Sequence, residues 1–146
     1  MAANEKVELS DRDFNQIKIL IEQGNDFFEE GKLKNALVKY EIALDIVPSP
    51  KTDWEASTWL YTSIGDTFFS GGNLEAAKDN YYNALNCPDG IGNAYIHFSL
   101  GQVLYELEDY KKSKESLLKA YMLDGTAIFE DEDPKYFKAI EELIKK

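Results

Sequence analysis

The residues of this chain best suited to chemistry are one histidine, His97, one cysteine, Cys87, and 27 carboxylates. Spacing places neither a nucleophile nor an orienting acid beside His97, and a catalytic imidazole needs such partners. Its register puts it instead at a bulky packing position. Cys87 stands beside Pro88 near the end of a predicted helix, with no neighbouring basic residue to lower its pKa. One histidine and one cysteine are too few for a zinc site. The run Glu130-Asp131-Glu132-Asp133 lacks the spaced ligands and central glycine of a calcium loop, so it reads as a solvated acidic turn. Gly71-Gly72 and Gly90-x-Gly92 lack the lysine and preceding strand of a phosphate loop. No catalytic set converges. The chemistry to expect is recognition, without enzyme activity, cofactor or metal.

Composition narrows what could be recognised. The chain has 146 residues, 44% of them apolar and 29% charged, which suits one soluble domain with a core of its own. Its formal net charge of −11 lacks the basic face that nucleic acid or an anionic membrane demands. A basic protein partner would be steered in by that field, or the charge serves solubility alone. No apolar stretch approaches the ~20 residues of a membrane helix. The start, MAANEKVELS, does not read as a secretory signal, and the lone cysteine suits a reducing interior. The expected location is cytoplasmic.

The elements that would position these residues are helices. Ser10 with Asp13 marks a helix start, and Phe14, Ile17, Ile21 and Phe28 follow at helical spacing up to Gly31. A second helix is predicted over about 33–46 and stops at Pro48-Ser49-Pro50. Thr52 or Asp53 would cap a third, reaching Ser70 before Gly71-Gly72. Asn73 would cap a fourth that ends near Asn86, a fifth spans about 93–107, and a sixth about 109–123. Asp133-Pro134 sets an acid at the cap and proline at the first helical position of a last helix. That helix carries Tyr136, Phe137, Ile140, Leu143 and Ile144 as an apolar stripe. Glu141 with Lys145 and Glu142 with Lys146 form favourable i,i+4 pairs.

A motif recurs along these helices. Gly24-x-x-Phe27 precedes Ala36-x-x-x-Tyr40 and Ala43, and Gly65-x-x-Phe68 precedes Ala77-x-x-x-Tyr81 and Ala84. Gly101-x-x-Leu104 repeats the frame more faintly with Ser113, Leu117 and Ala120. Such a period signals stacked helix pairs. The glycines and alanines leave room where two helices of a pair meet, and Phe27, Tyr40, Phe68 and Tyr81 are expected to fill the space between successive layers.

In these residues the chain resembles the tetratricopeptide-repeat family over about 17–123. The resemblance implies an all-α, right-handed superhelical array of three antiparallel helix pairs closed by a capping helix. As one domain this gives a tail over 1–10, repeats over about 11–48, 53–88 and 93–124, and the cap over about 134–146. It also implies that a partner lies in the concave groove lined by the first helix of each pair. By register that groove presents Lys18, Ile21, Asn25 and Phe28, then Trp59, Thr62, Asp66 and Phe69, then Tyr95, Phe98, Gln102 and Tyr105. The surface is aromatic with one polar residue per layer, a pattern of peptide-binding hot spots. Chaperone-binding members hold an acidic tail with cations and asparagines. The corresponding positions here are Ile21, Asn25, Ser63, Tyr95 and Ser99, of which only Asn25 fits, so that mode is not expected.

Three functional expectations follow. The first is an interaction module that holds a peptide or helix of another protein. The second is an acidic immunity or antitoxin protein that neutralises a basic toxin. The third is a self-assembling scaffold subunit; a monomer is expected, with a dimer left open.

Overall fold

The structure, a computed structural model, describes residues 9–144. Among them are seven α-helices and no strand: α1 Asp11–Glu29, α2 Leu33–Ile46, α3 Glu55–Ser70, α4 Leu74–Leu85, α5 Ala94–Glu106, α6 Tyr110–Asp124 and α7 Pro134–Ile144. Helices α1 and α2, α3 and α4, and α5 and α6 pack as antiparallel pairs, and the pairs stack in chain order into a superhelical array. The paired lysines expected at the end of α7 lie outside the described residues.

Most helix starts follow the capping rule. Ser10 Oγ accepts from the Asp13 amide at 3.1 Å, Asn73 Oδ1 from Ala76 at 3.2 Å and Asn93 Oδ1 from Ile96 at 3.3 Å. Asp109 Oδ1 accepts from Lys112 at 3.3 Å, and Asp133 Oδ1 from Lys135 at 3.0 Å. The third helix departs from expectation. Thr52 and Asp53 do not cap it; Lys51–Asp53 forms a separate 3-10 turn, and Trp54 occupies the cap position without a side-chain bond. Lys51 reaches back instead, its Nζ donating to the carbonyls of Leu44 and Val47, each at 2.8 Å, at the C-terminal end of α2.

The turn inside each pair is the same device three times. Gly31 (φ 76°), Gly72 (φ 83°) and Glu108 (φ 65°) occupy equivalent left-handed positions. The next amide, of Lys32, Asn73 or Asp109, closes onto the carbonyl of Phe27, Phe68 or Leu104, each at 2.9 Å. This is the bond that ends a helix through a left-handed residue. Glycine adopts that conformation freely, whereas Glu108 bears the steric cost.

The crossing within a pair is set by glycine. A Cβ added at Gly24 would lie 2.5 Å from Tyr40 Cε1, at Gly65 2.8 Å from Tyr81 Cε1, and at Gly101 2.6 Å from Leu117 Cδ2. The tyrosines fill the gap between layers, as the motif suggests, Tyr40 in one core cluster with Leu60 and Ile64 and Tyr81 in another with Ile96 and Leu100, and they do a second thing besides. Each ring lies flat on the glycine of its own pair, fully buried with Ala36 and Ala43 or Ala77 and Ala84. Ser113, at the small position of the third pair, is accommodated because its hydroxyl donates to the Gly101 carbonyl at 2.7 Å.

Replacing Gly65 by Ala should destabilise the chain by about 1 kcal/mol or more in urea unfolding, since overpacking exceeds the gain in helix propensity. Gly92→Ala, with open space around the added methyl, should stay within about 0.5 kcal/mol of the native chain. Glu108→Gly should raise stability by about 0.5 to 1 kcal/mol, because relief of the left-handed backbone outweighs glycine's entropy cost.

Candidate peptide-binding trough

The first helices of the pairs, α1, α3 and α5, line one side of the array, and two hollows open along it. The first, of about 420 Å³, lies between α1 and α3 and is walled by Phe14, Ile17, Lys18, Ile21, Glu22, Glu55, Ala56 and Trp59. The second, of about 270 Å³, lies between α3 and α5 and is walled by Thr58, Trp59, Thr62, Ser63, Asn93 and Tyr95. Trp59 belongs to both and is 66% exposed. Its ring is the ridge between an apolar hollow and a hydroxyl-rich one. Thr62 Oγ1 is turned back onto the Thr58 carbonyl at 2.7 Å, and Thr58 Oγ1 donates to the Pro88 carbonyl at 2.7 Å.

The polar residue of each layer is already engaged. Tyr40 donates its hydroxyl to Asn25 Oδ1 at 2.6 Å, and Tyr81 donates to Asp66 Oδ1 at 2.5 Å. In both cases the tyrosine that covers a glycine hydrogen-bonds the residue after that glycine. Tyr95 donates to the other Asp66 oxygen at 2.8 Å, bridging α5 to α3. Burial pushes the Asp66 carboxyl above the usual carboxylate range, while the bonds from Tyr81 and Tyr95 oppose that shift. Burial first, and then the Asp66 charge, raise the phenols of Tyr81 and Tyr95; Tyr40 is pushed up to about 12 by burial, with Asp66 and Glu29 adding to it.

The third pair differs because Leu117 stands where Tyr40 and Tyr81 stand. No phenol reaches Gln102, which donates instead to Glu132 at 3.1 Å. The segment after α6 also covers Phe98, so its assignment to the open groove is corrected: it is 3% exposed. Phe129 and Tyr136 meet its ring edge-on at 5.1 and 6.0 Å. Tyr105 packs against Tyr110 and Tyr136 at 5.1 and 5.5 Å, with Lys135 Nζ 5.4 Å from its ring. Glu106 fastens this end, accepting from Tyr136 at 2.7 Å and pairing with Lys135 at 2.8 Å. The Lys135 bond holds the Glu106 carboxyl below its usual range, partly offset by burial.

Ile21, Trp59, Thr62 and Tyr95 thus border open space. Phe28 and Phe69 pack partly buried against the cores of the first and second pairs. Asn25 and Asp66 act within the protein. Sequence register missed Phe14, Glu22, Glu55, Ala56, Thr58 and Asn93. Phe14 and Glu22 were findable, since they lie one helical turn either side of Lys18.

The reactive side chains are withdrawn from this face. His97 is buried and its Nε2 donates to the Ile91 carbonyl at 2.7 Å. Cys87 is buried, its Sγ donates to the Asn83 carbonyl, and burial raises the thiol pKa. Among the described residues no cluster of metal-ligating side chains occurs, and no helix is long and apolar enough to cross a membrane.

Comparison with known proteins agrees with this architecture. The tetratricopeptide-repeat family profile matches residues 94–126, the third helix pair. No curated protein sequence matches the chain. Solved structures do. The first such domain of Spaghetti (RPAP3), bound to the HSP90 peptide SRMEEVD, aligns over 90% of this chain and 95% of its own at 16% identity, with a TM-score of 0.71. The second domain of human RPAP3, in complex with an HSP70 peptide, aligns over 92% and 99% at 15% identity and TM-score 0.69. The N-terminal domain of stress-induced protein-1 from C. elegans aligns over 93% and 100% at 14% identity and TM-score 0.70. At such identities the likeness establishes fold. The chain is a small all-helical protein of the tetratricopeptide-repeat fold, a scaffold that commonly mediates protein–protein interaction.

Asp66→Asn keeps an acceptor for Tyr81, as Asn25 does for Tyr40, and sets an amide NH2 that can donate to the Tyr95 phenol where an oxygen accepted from it, so it should stay within about 1 kcal/mol of the native chain at neutral pH. Asp66→Ala should cost about 1 to 3 kcal/mol, because the buried Tyr81 hydroxyl loses its partner. The raised folded pKa fixes the sign of the pH effect. The folded chain takes up this proton before the unfolded chain does, so the contribution of Asp66 to stability grows as pH falls from neutral toward ~4. Urea unfolding of the native chain and Asp66→Asn across that range should show the native chain gaining on the variant.

Proposed function

We propose that this chain is a non-enzymatic interaction module that holds a peptide or helix of another protein in the trough of α1, α3 and α5. The observation that carries the reading is Trp59, a large ring 66% exposed and flanked by a hollow on each side. Exposed tryptophan and tyrosine beside concave surface are the side chains from which binding hot spots are built. Tyr95 is 47% exposed and held in place by Asp66, so it meets a ligand with little further loss of rotamer freedom.

The ligand type of the structural relatives does not transfer with the fold. An acidic tail such as SRMEEVD needs cations. At the relevant positions this chain has Ile21, Asn25, Ser63, Tyr95 and Ser99; Asn25 already accepts from Tyr40, and Ser99 is buried. A desolvated tail carboxylate would find no compensation there.

Affinity capture from the native host tests the reading. The double variant Trp59→Ala with Tyr95→Ala should lose the captured partner, at least about tenfold in retained material, while far-UV circular dichroism stays that of the native chain. Undiminished capture by the double variant would remove the trough from consideration.

A further inference from the structure

The charges along the trough discriminate between ligands. Glu22 on α1 and Glu55 on α3 stand on opposite walls of the first hollow. Asp66 follows along α3, and Glu132 stands at the far end against Gln102. Two ammonium groups answer these carboxylates. Lys135 is already paired with Glu106 at 2.8 Å, and Lys18 Nζ lies 5.5 Å from the Phe14 ring. A concave wall with this balance favours a cationic chain and repels an anionic one.

The floor adds a second requirement. Phe14, Ile17, Ile21 and Ala56 make it apolar, and its volume of about 420 Å³ falls in the range of small-ligand sites. The Trp59 indole borders it, and indole is the aromatic face that attracts a Lys or Arg cation best. Carboxylates on both walls of a hollow bordered by an exposed tryptophan, above an apolar floor, match one kind of sequence.

We infer that the first hollow receives a partner segment in which a large apolar residue is flanked by lysines or arginines. The apolar side chain enters between Phe14, Ile21 and Trp59. The flanking cations meet Glu22 and Glu55, and one lies over the Trp59 ring. This rests on the trough being the binding surface and adds the chemistry of its ligand, which is opposite in charge to the chaperone tails held by the structural relatives.

Three fluorescein-labelled peptides test it by anisotropy: GKRLFSLRKG, its charge-reversed twin GEDLFSLDEG, and GKRSGSSRKG, which keeps the cations without the apolar anchor. The first should bind saturably with a Kd of about 10 to 100 μM and weaken about tenfold between 50 and 300 mM salt. The other two should bind at least about tenfold more weakly. The double variant Glu22→Gln with Glu55→Gln should lose about fivefold or more for the first peptide at unchanged helicity. No saturation by the first peptide below about 1 mM, equal binding of either twin, or no effect of the double variant would each overturn the inference. Trp59→Ala separates the two levels. If the charge-reversed twin binds and Trp59→Ala abolishes that binding, the trough stands and its proposed ligand chemistry falls. If GKRLFSLRKG binds Trp59→Ala as tightly as the native chain, the trough itself is the wrong surface and the inference falls with it.

Discussion

The contact on which the array depends is a ring laid on a glycine. Tyr40 on Gly24 and Tyr81 on Gly65 bring the two helices of a pair closer than any Cβ would permit. The same geometry carries the phenol past the glycine to the next residue, so one side chain both sets the crossing and ties off Asn25 or Asp66. Packing and polar satisfaction are therefore one event. A buried phenol without an acceptor would cost as much as a core cavity, and here the acceptor is placed by the contact that buries it.

Leu117 breaks that coupling in the third pair and so changes what the trough can be. Leucine still covers Gly101 but offers no hydroxyl, which leaves Gln102 to be met from the C-terminal segment by Glu132. The same segment brings Phe129 and Tyr136 onto Phe98 and closes Tyr105 beneath Lys135. The protein thus occupies one end of its own concave side. What stays open are the two hollows that share Trp59, and they differ in character: one is apolar and edged with carboxylates, the other is hydroxyl-rich.

Much of the fold is legible in the sequence because its determinants are local. Proline at 48 and 134, glycine at 31 and 72, and caps at Ser10, Asn73 and Asp133 each act within a few residues of themselves. The all-helical pairing and the repeat register follow from the Gly-x-x-Phe and Ala-x-x-x-Tyr spacing. Three matters were not legible. The start of α3 depends on Trp54 and a 3-10 turn, where neither Thr52 nor Asp53 supplies the cap. The left-handed Glu108 carries no sequence signal, since its side chain is not one that favours the conformation. Phe98 looked like groove because register alone assigns faces; its burial is a long-range effect of Phe129 and Tyr136, more than thirty positions on. The family profile, by contrast, matches the third pair, where the tyrosine motif is weakest, so the motif and the profile weigh different positions.

One feature of α5 sets how the array comes apart. Ile96, His97, Phe98, Ser99, Leu100 and Gly101 are consecutive and all buried, which surface helices do not allow. The helix is enclosed by the second pair on one side and by α6 and the C-terminal segment on the other, so water reaches its amides only after a neighbour has detached. Among the described residues α1 packs chiefly on α2 and has no pair on its other side, so it is less enclosed than α5. The apolar hollow between α1 and α3 lies at that less enclosed layer. An occupant bridging both helices would act as a rivet, lending the outermost layer the permanence that α5 has by position.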